Sequence, residues 1–146
     1  MKNLKMIFLS NSEEETIKIG EKISQEVIGK GDVVLFFGTL GAGKTTLIRG
    51  ICKGFKCDPS IVRSPSFTIV NEYNCLTKIY HVDLYRIVSL EDFESTGIYE
   101  ILKNDENIVL MEWAENCPMA LENSIKIYME IVDFNKRRIS IEKNGK

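Results

Sequence analysis

Gly38-Thr39-Leu40-Gly41-Ala42-Gly43-Lys44-Thr45 carries the spacing G-x-x-x-x-G-K-[ST], and each residue type has a task against a polyphosphate. The glycines let backbone amides turn inward around phosphate oxygens with no side chain in the way. Lys44 offers a cation to the β- and γ-phosphates, and Thr45 offers a hydroxyl to magnesium. A helix beginning at this point presents its positive end to the same anion. The chemistry implied is binding of a nucleoside triphosphate with magnesium. The reaction is left open, because a phosphate loop alone does not name one.

A second requirement is a carboxylate near the transferring phosphate, to hold magnesium or to orient water. Two acids follow apolar runs. Asp83 comes after Ile79-Tyr80-His81-Val82, and Glu112 comes after Ile108-Val109-Leu110-Met111. Between the loop and Asp83 lies Arg63-Ser64-Pro65-Ser66-Phe67-Thr68. This hydroxyl-rich stretch is of the kind that reaches magnesium or a γ-phosphate and orders when it is present.

The elements that must hold these groups are legible in the spacing. Lys5 to Leu9 reads as a short strand. Ser12-Glu13-Glu14-Glu15 fits a capping box at a helix start, followed by Ile19, Ile23 and Val27 on one stripe, with Gly29 and Gly31 as the stop. Val33 to Phe37 is a continuous apolar run, as expected of a strand covered on both faces. Thr46 to Phe55 follows the loop with helical spacing, so strand, glycine turn and helix open a βα unit. Phe67 to Val70 and Ile79 to Val82 read as strands joined by a polar turn around Asn74. Leu90 to Leu102 is loosely helical and interrupted by Gly97. Ile108 to Met111 is a second buried strand. Ile125 to Ile131 and Ile139 to Ile141 alternate at period two around Asp133-Phe134-Asn135-Lys136, a hairpin with one wet face. The expectation is an α/β phosphate-loop domain spanning residues 1–146, with a central mixed, largely parallel sheet flanked by helices.

Composition excludes several classes. The 146 residues are 44% hydrophobic and 27% charged, close to globular averages and unlike disordered or fibrous chains. Nineteen Lys and Arg against twenty-one Asp and Glu give a net charge of −2. That balance argues against a general nucleic-acid coat or a polybasic membrane binder. The apolar run Met6 to Leu9 is too short for a signal-peptide core or a membrane span. The cysteines Cys52, Cys57, Cys75 and Cys117 include no C-x-x-C pair, and His81 is the lone histidine, so the usual zinc spacings are absent. Free thiols in a reducing cytoplasm are the expected state.

Four blocks in one order and spacing connect the chain to a family. They are GTLGAGKTT, then SPSFTIVNEY from Ser64 to Tyr73, then HVDLYR from His81 to Arg86, then MEWAEN from Met111 to Asn116. Together they resemble the TsaE (YjeE) proteins, small ATPases of bacterial tRNA threonylcarbamoyladenosine biosynthesis. The resemblance runs from about Ser12 to the strand near Ile131. It implies that Gly38, Leu40, Gly41, Ala42, Gly43, Lys44, Thr45 and Thr46 wrap the phosphates of ATP, and that Thr45 and Glu112 hold Mg2+. It further implies that Asp83 is needed for turnover and that Thr68 approaches the γ-phosphate. Asn11 and Ser12 are expected beside the adenine or ribose, and Arg137 or Arg138 beside the nucleotide. Ser66 stands where many relatives have threonine, which keeps the hydroxyl. The resemblance also implies partners of the TsaB and TsaD type, the latter carrying the transfer to adenosine 37 of tRNA. ATP-dependent association would reset that complex, with tRNA met only indirectly and no membrane involved.

The remaining singled-out residues have plainer expected roles. His81 is read as packing or orienting Asp83, Trp113 as an anchor for the Glu112 strand end, and Tyr85 and Arg86 as a partner-facing or switch surface, with an Arg–acid pair inside the fold as the alternative for Arg86. A small-molecule kinase is the alternative activity, but the stretch from Leu84 to Asn107 carries only Arg86 and Lys103 as basic residues, a poor lid. A guanine-reading switch is disfavoured because Asn135-Lys136-Arg137-Arg138 lacks the acid that would meet a guanine edge.

Overall fold

A run apolar at every position must be covered on both sides, and the central strands obey this rule. The computed structural model describes residues 3–39, 41–65 and 69–144. Strand β2 (Val33–Gly38) sends Val34 and Phe36 to one core and Leu35 to the other. Strand β5 (Ile108–Glu112) does the same with Ile108 and Leu110 against Val109 and Met111. The first core is closed by helices α1 (Glu13–Glu26) and α2 (Lys44–Gly54) through Ile23, Leu47, Ile48 and Ile51. The second is closed by α3 (Leu90–Ser95) and α4 (Ile98–Lys103) through Phe93 and Ile98.

The other strands are β1 (Leu4–Ser10), β3 (Val70–Asn74), β4 (Lys78–Asp83), β6 (Ile125–Asp133) and β7 (Lys136–Lys143). Among the described residues they form one sheet in the order β1-β7-β6-β2-β5-β4-β3. Its middle, β6-β2-β5-β4, is parallel, and antiparallel strands close both sides. The expected hairpin is β6–β7. Ile125, Ile127 and Met129 of β6 enter the first core with Ile139 and Ile141 of β7, while Tyr128 and Glu130 are exposed.

Helices α1 and α2 approach closely because two glycines sit between them. A Cβ at Gly20 would lie 2.6 Å from the Leu47 carbonyl oxygen, and one at Gly50 would strike the Ile17 carbonyl.

Three local readings change. The capping box is half made: Ser12 Oγ accepts from the Glu15 amide at 3.1 Å, but Glu15 reaches back to the Asn11 amide at 3.2 Å and not to Ser12. The expected strand from Phe67 starts at Val70. Ile69 takes φ of 68°, which no strand tolerates and which is costly for a β-branched residue, while Ser66, Phe67 and Thr68 lie outside the described residues. The expectation of free thiols fails for two cysteines. Cys57 and Cys75 form a disulfide, and Cys52 and Cys117 are free.

Sequence spacing could not reveal that bridge, because tertiary structure makes it. The β3–β4 turn folds onto the end of α2, where the Leu76 amide donates to the Phe55 carbonyl at 3.1 Å and brings the two Cα atoms within 5.1 Å. Burial pushes the Cys52 thiol up to about 12, so it is inert in the folded chain. Thiol titration in denaturant should therefore count two thiols before reduction and four after it. Four at the outset would remove the bridge. Closing an 18-residue separation constrains the unfolded chain by about 3 kcal/mol on the chain-entropy relation, a loss that reductant should reveal in Tm.

Candidate nucleotide and metal site

In open α/β sheets the crevice for a ligand lies beyond the carboxyl ends of the parallel strands, and the chemistry-bearing residues converge there. Strand β2 ends at Gly38 and the phosphate loop leads directly into α2. Gly43 is the N-cap residue of α2 with φ of 99°, and no side chain caps the helix. A glycine is required at that angle. The uncapped first turn leaves its amides facing the loop, the arrangement an anion needs. Lys44 Nζ donates to the Gly38 carbonyl at 2.9 Å, closing the loop across its ends.

The two acids arrive side by side. Asp83 ends β4 and Glu112 ends β5, and the two are register partners, as Glu112 is with Phe36 of β2. Both are buried, at 7% and 6% exposure. Burial raises the Asp83 carboxyl above its ordinary range, and the Glu112 charge pushes the same way. The Tyr85 amide, which donates to Asp83 Oδ1 at 2.9 Å, opposes this, as do His81 and Lys44. The strand ends are locked together by the Leu84 amide donating to the Glu112 carbonyl at 3.1 Å and by Asn116 Nδ2 donating to the Leu84 carbonyl at 2.9 Å.

His81 does not orient Asp83. It is fully buried, with Nε2 at 2.9 Å from Glu112 Oε2 and Nδ1 at 3.1 Å from the Tyr73 hydroxyl. On β4, His81 and Asp83 lie two residues apart on one face, and the neighbouring strand places Glu112 within the imidazole's reach. Sequence reasoning gave Tyr73 no role beyond closing the block that begins at Ser64. Its available signal was its position on the strand that pairs with β4, where it faces Ile79.

The nucleotide-side residues separate. Ser12, Gly41, Ala42, Gly43, Thr46 and Arg137 line one cleft together. Arg137 Nη2 donates to the Gly41 carbonyl at 3.4 Å, and its Nη1 donates to the Asp133 carbonyl at 3.1 Å. Arg138 turns instead to Glu130, at 3.6 Å. Ser12 caps α1, and Asn11 Nδ2 is held by Glu15 outside that cleft's lining, at 3.3 Å. Leu40 and Thr68 lie outside the described residues. Trp113, with φ of 59°, stands just after Glu112 and packs its ring on Tyr85 at 4.8 Å, both rings partly exposed.

The donor set fits magnesium. Among the described residues no group of three or more His, Cys, Asp or Glu gathers to hold a metal. Magnesium needs none: it takes one or two carboxylates together with phosphate oxygens and water. Glu112, Asp83 and the hydroxyl of Thr45 are hard oxygen donors of that kind.

The family model described as "Threonylcarbamoyl adenosine biosynthesis protein TsaE" matches residues 10–139. The chain is 41% identical over 146 residues to the tRNA threonylcarbamoyladenosine biosynthesis protein TsaE of Aquifex aeolicus, covering 97% of this chain and 98% of that protein. It is 39% identical to the protein of that name from Rickettsia conorii, covering 93% and 77%, and 37% identical to that from Nostoc, covering 92% and 83%. Among solved structures, YdiB from a Bacillus superposes with a TM-score of 0.72 at 26% identity, covering 99% of this chain and 89% of the other.

Proposed function

The chain belongs to the TsaE family of tRNA threonylcarbamoyladenosine biosynthesis proteins, and we propose that within that pathway it binds and slowly hydrolyses ATP with magnesium. Its nucleotide state then governs association with TsaB- and TsaD-type partners and resets their complex for another turnover. One observation carries the reading: Lys44, at the start of a helix with no capping side chain, acts on the charge of Asp83, which is buried and paired in register with buried Glu112.

In this reading the loop amides and Lys44 grip the triphosphate and neutralise charge that develops on the γ-phosphoryl group. Thr45 and Glu112 would hold magnesium, which supplies further charge neutralisation at the phosphate oxygens when bound. Asp83 would orient the attacking water or accept its proton, a role its raised carboxyl suits. The family resemblance assigns Thr68 an approach to the γ-phosphate. Arg137 supports the loop from the Gly41 side. The cytoplasm, where tRNA and ATP meet, is the proposed location; no described helix is long and apolar enough to cross a membrane.

ATP labelled on the γ-phosphate separates this activity from that of a small-molecule kinase. The label should leave as inorganic phosphate, slowly for the chain alone and faster with both partners present. Complex formation should change with ATP. Label transferred to a metabolite, or a solitary chain turning over at the roughly ten per second typical of enzymes, would refute the proposal.

A further inference from the structure

The buried imidazole of His81 is one link in a chain of three polar contacts that runs away from the nucleotide crevice. The Arg63 amide donates to the Tyr73 hydroxyl at 3.2 Å, that hydroxyl meets His81 Nδ1 at 3.1 Å, and His81 Nε2 meets Glu112 Oε2 at 2.9 Å. Tyr73, His81 and Glu112 are 4%, 0% and 6% exposed, so water competes little for these bonds. Counting hydrogens gives the chain a direction. The Tyr73 hydroxyl has one hydrogen, and two acceptors lie in reach: His81 Nδ1 and the Arg63 carbonyl, the latter also at 3.2 Å. Asn71 Nδ2 already donates to that carbonyl at 3.1 Å. With the hydroxyl hydrogen on Nδ1, His81 carries its proton on Nε2 and donates it to the Glu112 carboxylate. The hydroxyl, the imidazole and the carboxylate then point one way, and bonds aligned in this way polarise one another.

We propose that His81 is a positioning residue that fixes the Glu112 carboxylate and, through Tyr73, couples it to the backbone at Arg63. The proposal rests on the reading of Glu112 as a magnesium ligand. A carboxylate has several lone pairs and rotates about its last bond, and a fixed donor on Oε2 leaves Oε1 to face the crevice. A histidine in this relation to a metal-binding acid sets ligand orientation, and losing such a contact typically costs ten- to a hundredfold in metal affinity. The far end of the chain matters as much. Arg63 opens the hydroxyl-rich segment, and Ile69, which follows that segment in sequence, accepts at its carbonyl from the Asp83 amide at 2.8 Å. Arg63 and the acid at the end of β5 are thereby joined by one run of hydrogen bonds.

The test uses the full chain and a fluorescent ADP analogue, titrated with magnesium. His81→Leu should raise the magnesium concentration needed for half-maximal nucleotide binding by about tenfold. His81→Gln, whose amide nitrogen reaches the position of Nε2, should restore most of that loss. Tyr73→Phe keeps the donor to Glu112 and should change the magnesium requirement little, but it should uncouple Arg63. In the parent, adding magnesium and nucleotide should shift the Arg63 amide and the His81 imidazole resonances together; in Tyr73→Phe the Arg63 amide should cease to follow. Because His81 is the lone histidine, its imidazole nitrogen signals need no assignment, and they should show the proton on Nε2. A proton on Nδ1 with a bare Nε2 would overturn the proposal even if the His81 variants failed to fold. So would a folded His81→Leu with the parent's magnesium requirement. Glu112→Gln run in parallel separates the two levels. If it too leaves the requirement unmoved, the magnesium reading of Glu112 fails; if it alone shifts the requirement, the His81 proposal fails.

Discussion

Lys44→Ala is expected to reduce ATP turnover, with or without partners, by a factor of roughly 10² to 10³, the loss seen when one preorganised charge or donor is removed from a developing oxyanion. The ammonium of Lys44 reaches the loop from the first residue of α2 and donates to the Gly38 carbonyl at 2.9 Å. That contact keeps the charge beside the loop. Removing it deprives the phosphates of a cation and leaves the Gly38 carbonyl without its donor. Gly38 is closely confined, since a Cβ there would lie 2.8 Å from the Met129 carbonyl oxygen, so the loop has little room to relax. The side chain is partly exposed, and far-ultraviolet dichroism and Tm should stay near those of the parent. Turnover by phosphate release, read beside Tm, checks this. A folded Lys44→Ala that hydrolyses ATP at the parent's rate would remove the phosphate loop from the mechanism.

The parts of this site that depend on chain-local rules were legible before any coordinates. The expectation of phosphate binding rests on residue types within an eight-residue window, and the structure sets that window between β2 and α2. The two acids were found because each ends an apolar run, and parallel strands bring their carboxyl ends to one edge of the sheet. What escaped were contacts decided between strands. The register of β4 against β5 directs His81 to Glu112 and away from its near neighbour Asp83. The pairing of β3 with β4 brings in Tyr73, a residue with no chemical spacing to mark it. The Cys57–Cys75 bridge escaped for the same reason, since no pair rule sees a turn folding onto a distant helix end. The Ile69 backbone shows a second limit. Strand propensity favours Phe67 to Val70, yet Ile69 takes a left-handed angle beside Asp83, and its carbonyl receives the Asp83 amide at 2.8 Å. Such strain persists where surrounding structure imposes it, and it gathers at functional sites. Family resemblance supplied what neither source holds, namely a pathway and partners.

Asp83→Asn should separate stability from turnover, raising one as it abolishes the other. Burial lifts the Asp83 carboxyl above its ordinary value, with the Glu112 charge adding to the effect. The folded protein therefore holds that proton more tightly than the unfolded chain does. Between the ordinary carboxylate value and the raised folded value, stability falls as pH rises; above the window the full penalty remains, and below it the penalty is gone. Asparagine keeps an oxygen for the Tyr85 amide and carries no charge to bury. At neutral pH the variant should gain about 1 kcal/mol, or roughly 2–5 °C in Tm for a chain of this size. The gain should shrink as pH falls through the carboxylate range, because the raised carboxyl of the folded parent takes up its proton there and loses the charge that burial penalises. Turnover should drop by about 10² or more, since an amide cannot take a proton from water. Magnesium, held together with the nucleotide, would place a cation beside the parent's paired acids, and so should raise the parent's Tm more than the variant's. Thermal unfolding across pH, with and without magnesium and nucleotide, reads all of these at once. An Asp83→Asn chain less stable than the parent at neutral pH would mean that the contacts of this carboxylate outweigh its burial, and the crevice would then be a structural joint whose acids are held for the fold.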